Sequence, residues 1–61
     1  MAQARKYWNQ SERYGGREQA TIDDYRVLNP DGDFVETTRD RQWVIIDRNR
    51  NEVVATQRRD G

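Results

Sequence analysis

The chain contains no cysteine and no histidine. Disulfide stapling, a thiol nucleophile, an imidazole base and the zinc sites built from those ligands are therefore excluded. It has one proline and one lysine, and only ten residues in 61 are Val, Ile, Leu or Phe. All ten fall between Ile22 and Val54, leaving none in the first 21 positions. The longest apolar run is four residues, which is neither a targeting segment nor a membrane span. An excess of one charge is lacking too, because 11 Lys and Arg balance 11 Asp and Glu. A zero total argues against general attraction to nucleic acid or to an anionic membrane.

What is present bounds the fold. Sixty-one residues make at most one domain, with a core that supplies little margin. The aliphatic content lies near the range of disordered chains, but the high net charge that accompanies disorder is missing. Clustering of the apolar residues points instead to a small folded β unit behind a polar N-terminal extension. The expected organisation is an arm or short helix over residues 1–21, an antiparallel β domain over 22–57 and a polar tail over 58–61. A soluble, cytoplasmic protein is expected.

Residues 42–57 read as a hairpin. Trp43, Val44, Ile45 and Ile46 form one aromatic and β-branched run, and Val53, Val54 and Thr56 form another. Between them, Asn49 or Asn51 suits the left-handed backbone of a turn. A two-residue loop at Asn49-Arg50 would face Asp47 with Glu52, a like-charge pair. A three-residue loop centred on Asn49 pairs Asp47 with Asn51 and Ile45 with Val53, and is preferred for avoiding that repulsion.

Asn29-Pro30-Asp31-Gly32 carries turn chemistry, with Pro at the second position and Gly where a positive φ is wanted. Read as a hairpin loop, it pairs Leu28 with Phe34, Val27 with Val35 and Arg26 with Glu36. The resulting fold is mainly β: a four-stranded antiparallel meander with strands near 24–29, 33–38, 42–47 and 52–57. Ahead of it, Ala4, Tyr7, Trp8, Ser11 and Tyr14 recur at helical spacing before Gly15-Gly16, giving a short helix or a mobile arm. Both sheet faces would carry apolar side chains. Cover must come from the aromatic segment, from curling into a half-barrel, from a second copy or from a partner.

The sequence offers little to catalysis. Asp23-Asp24, or Asp31 with Asp33, could be cast as acid and base or as hard-metal ligands, but a core this small does not readily enclose a dry pocket for perturbed carboxylates, and Asp31-Gly32-Asp33 lacks the further ligands and correctly spaced Glu of a calcium loop. No cofactor is implied, and the chain is not expected to be an enzyme. The preferred reading is a small protein-binding module: a regulatory or inhibitory accessory protein, or a small subunit of a larger assembly such as a phage particle. Its contacts would come from Tyr7, Trp8, Arg13 and Tyr14, since aromatic and arginine side chains dominate interface hot spots. Self-association through a sheet edge or face belongs to the same class. The alternative is a nucleic-acid-binding β protein using Arg39, Arg41, Arg48 and Arg50 with stacking aromatics. Ten of the 11 cations are Arg, which suits bidentate contacts but also follows from a GC-rich coding genome.

Overall fold

The computed structural model describes residues 4–15 and 18–58. Five strands and one helix follow in chain order: β1 (Tyr7–Asn9), β2 (Gln19–Ala20), α1 (Ile22–Leu28), β3 (Phe34–Arg39), β4 (Gln42–Asp47) and β5 (Glu52–Arg58). The strands form one antiparallel sheet in the order β2-β1-β5-β4-β3. This corrects the expected four-stranded meander with an N-terminal helix. The fold is a five-stranded antiparallel sheet with an internal helix. The expected strands at 33–38, 42–47 and 52–57 coincide with β3, β4 and β5, whereas the expected strand at 24–29 is largely helix.

The helix forms where the hairpin was expected because its start is strongly capped. The Thr21 hydroxyl accepts the Asp24 N–H at 3.3 Å, and the Asp24 carboxylate accepts the Thr21 N–H at 2.8 Å. This reciprocal capping box, with Asp23 and Asp24 in the first turn, outweighs the β preference of Tyr25 and Val27. Ile22 and Tyr25, three residues apart, supply the buried face. Asn29-Pro30-Asp31-Gly32 then ends the helix instead of closing a hairpin, with Asn29 N–H bonded to the Tyr25 carbonyl at 2.9 Å. Gly32 is required there by crowding, since a Cβ at that position would overlap the Phe34 ring.

Residues 7–9 are extended rather than helical because the free edge of β5 pairs with them, Trp8 opposite Thr56 and Asn9 opposite Ala55. The helix touches both edge strands, β2 and β3. A flat five-stranded sheet would hold its edges about 19 Å apart, and a seven-residue helix is only about 10 Å long. The sheet therefore curls around the helix, and Tyr7 of β1 donates to Glu36 of β3 at 2.7 Å. The core fills the concave side with Tyr7, Tyr14, Ala20, Ile22, Tyr25, Phe34, Ile45, Val54 and Ala55. Tyr14 packs edge-on against Tyr25 and Phe34, with centroids 5.5 and 5.7 Å away. Aromatic rings replace the missing aliphatics, and the radius of gyration of 10.9 Å is close to the roughly 10.5 Å of a folded chain this long.

The hairpin registers differ from expectation at one end. Arg39 faces Gln42 across a two-residue turn in which Asp40 and Arg41 have φ of 53° and 66°, the left-handed pair that matches strand twist. At the other end, Asp47 does face Glu52 and Ile46 faces Val53, so the three-residue loop is corrected to a four-residue one, with Asn51 left-handed at φ 53°. Asp47, 1% exposed, tolerates this position because its carboxylate accepts the Tyr14 hydroxyl at 3.4 Å and the Asn49 N–H at 3.1 Å, with Arg50 Nε at 3.7 Å. A bulge beside Ile45 and Ile46 turns both Val54 and Ala55 into the core.

Candidate docking surface

Register divides the strand residues into two faces, because successive side chains alternate. On the convex side, three rows cross the sheet. Arg39, Gln42 and Arg58 form the first; Thr37, Val44, Thr56, Trp8 and Gln19 form the second; Val35, Ile46 and Val53 form the third. The helix and the core cluster lie on the opposite side. Trp8 is 52% exposed, Val35, Ile46 and Val53 are half-buried, and Val44 is buried outside the core cluster. Among the described residues no helix or strand is paired over this face, although Val44 is 1% exposed and the Gln10 side chain donates to Thr56 Oγ1 at 3.4 Å, and apolar side chains from four strands share the surface.

The strand charges are partitioned between the faces. Glu36, Asp47 and Glu52 all lie on the concave side, where no described strand residue is cationic. Arg39 and Arg58 lie on the convex side, whose three rows contain no carboxylate. The convex rows thus combine two arginines with apolar and hydroxyl side chains.

The sequence-predicted site residues are distributed differently. Tyr7 and Tyr14 are core residues, and both hydroxyls are bonded inside the fold, Tyr7 to Glu36 and Tyr14 to Asp47 and Asn29. Trp8 stands on the open face. Arg13 is exposed in the β1–β2 connection and lines an open, polar cleft of about 490 Å³ with Gln10, Ser11, Glu12, Glu52 and Val53. Among the described residues, Oε1 of Glu52 is the buried side-chain oxygen without a hydrogen-bond partner. Arg39 and Arg41 sit at the β3–β4 turn, while Arg48 and Arg50 sit at the far end of β4, where they lie 3.7 Å from Asp33 and Asp47. The four arginines are not brought together.

Two tyrosines carry shifted acidities that belong to the core. Burial, helped by the nearby Asp24 charge, pushes Tyr25 up to about 12; its hydroxyl donates to Asn9 Oδ1 at 2.8 Å and to the Val54 carbonyl at 3.2 Å. Burial, then the hydrogen bond to Glu36, raises Tyr7 above the ordinary tyrosine range. These shifts keep both phenols neutral and bonded rather than preparing an acid or base. Among the described residues, no group of three or more metal-ligating side chains converges.

A second apolar spot lies on α1, where Val27 is 78% and Leu28 52% exposed. It is two residues wide and lies beside the acidic 31–33 segment. The open face was missed in the sequence because its members come from five strands, two of them unrecognised. Part of a signal was available: Thr37-x-Arg39 and Thr56-x-Arg58 share a spacing and flank β4 on both sides, but the bulge puts Val53 rather than Val54 on the open face. Comparison with protein-family models, with curated proteins and with solved structures finds no match.

Proposed function

We propose that this protein is a non-catalytic binding module that docks on another protein through the convex face of its sheet, as a regulatory accessory protein or a small subunit of an assembly. The observation that carries this reading is a face that no described helix or strand covers: Trp8 half exposed on β1, and Val53, Ile46 and Val35 half-buried in another row across β5, β4 and β3. Burying such a surface releases water from apolar area, and a half-exposed tryptophan is among the residue types most enriched in hot spots. The arrangement favours protein over nucleic acid. The face exposes one aromatic ring for stacking, and the cations at the two ends of β4 do not form a continuous track.

The test is affinity capture from nuclease-treated host extract with three baits. Wild type should recover a protein partner, Trp8→Ala with Ile46→Thr should lose it while keeping the circular dichroism of the fold, and Val27→Ser with Leu28→Ser should retain it. Loss confined to the helix variant, or recovery that requires intact nucleic acid, would contradict the reading.

A further inference from the structure

The sheet ends in two unlike edges. β2 contributes two residues, with α1 packed beside it. β3 contributes six, without the proline, lysine or bulge that blunt an exposed edge. The Arg48 N–H donates to the Asp33 carbonyl at 2.8 Å, which sets the phase of the β3–β4 ladder. Residues 33, 35, 37 and 39 therefore turn their peptide groups toward β4, and Phe34, Glu36 and Thr38 turn theirs outward. Phe34 is buried against Tyr25 of the helix, whereas residues 36–39 are exposed. The outward peptide groups of Glu36 and Thr38 are thus open to a further strand.

We infer that this edge pairs with the same edge of a second copy, antiparallel about a twofold axis at Thr37. Side chains select that register. Centring on Val35 relies on the buried Phe34, and centring on Glu36 sets two carboxylates against each other. Centring on Thr38 sets Glu36 against Asp40, which is acidic and left-handed at φ 53°. The Thr37 register instead opposes Glu36 with the second copy's Thr38, each pair exchanging its peptide hydrogen bonds, and sets Thr37 against its own counterpart. Continued past the strand, it brings Arg39 and Arg41 of each copy to the acidic 31–33 segment of the other. Both arginines are exposed and, among the described residues, neither has an ion-pair partner. Asp31 and Asp33 are exposed too, with Asp33 also 3.7 Å from Arg48. This charge match, repeated at both ends by symmetry, selects a second copy over an unrelated strand. The pairing makes two convex faces continuous and stands independently of what docks on them.

A chain without cysteine allows a direct test, because an introduced thiol is the only one present. Across the axis the Thr37 Cα atoms come about 4.5 Å apart, within disulfide reach, whereas the Thr38 Cα atoms are offset by two residues and about 8 Å apart. In a glutathione redox buffer, Thr37→Cys should form a covalent dimer about tenfold faster than Thr38→Cys. Thr38→Pro removes an outward N–H and spares the β3–β4 ladder, so in the Thr37→Cys background it should keep the fold and suppress cross-linking. Arg39→Glu with Arg41→Glu, at the exposed turn, should slow cross-linking as well and serves if the proline variant fails to fold. Equal rates at the two positions, a faster rate from Thr38→Cys, or cross-linking left unchanged by either folded variant would overturn the pairing. Linked copies run at twice the chain's mass, which separates this outcome from capture of a different protein on the convex face.

Discussion

Tyr7, Tyr14 and Tyr25 do in this chain what leucines do in a larger one, and each carries a hydroxyl that the core must satisfy. The arrangement ties stability to their protonation. For Tyr25, with a folded value near 12 against an ordinary 10, the native state holds its proton where the unfolded chain has lost it. Stability is therefore complete below pH 10 and falls as pH rises from 10 toward 12; Tyr7 adds to the loss in the same direction. Alkaline titration followed by phenolate absorbance and circular dichroism should show the ionisation of these two tyrosines coinciding with loss of the fold, and Tyr25→Phe should reduce the steepness of that loss. Ionisation of both at pH 10 with the fold intact would contradict their burial. The aromatic residues of the first 14 positions were visible in the sequence, but their destination was not. Three- and four-residue spacing is compatible with a helix, and it is pairing with β2 on one side and with β5, from the far end of the chain, on the other that makes residues 7–9 a strand.

At the level of elements, legibility followed locality. β3, β4 and β5 are joined by short turns and consist of β-branched and aromatic residues, so their positions could be read directly. The helix also had a local signal, Thr21-x-x-Asp24, but the stronger turn chemistry of Asn29-Pro30-Asp31-Gly32 is shared by hairpin loops and helix ends. The bulge that places both Val54 and Ala55 in the core has no signature in the chain. The β3–β4 turn offers a test. Asp40 and Arg41 both occupy the left-handed region, which costs an ordinary residue roughly 1–2 kcal/mol. Replacing Asp40-Arg41 by Asn-Gly should stabilise the protein by about 1 kcal/mol, raising Tm by several degrees. A lower Tm would show that this turn is not of the left-handed two-residue kind.

For the whole molecule, the economy of apolar residues is decisive. With so few available, the chain buries one face of a curled sheet under a seven-residue helix, and no described helix or strand covers the other. The expected sheet carried apolar side chains on both faces; in the structure Val35, Val44, Ile46 and Val53 lie on the convex face, opposite the strand carboxylates. Thr37 and Thr38 are exposed neighbours in β3 that point to opposite faces, Thr37 opposite Val44 on the open side and Thr38 opposite Trp43 on the other. Incorporating a photo-crosslinking amino acid at each position in turn, in the producing cell, compares the two faces at nearly the same place. Docking through the convex face predicts a protein adduct from position 37 and none from position 38. Adducts confined to position 38, or no adduct at position 37, would contradict it.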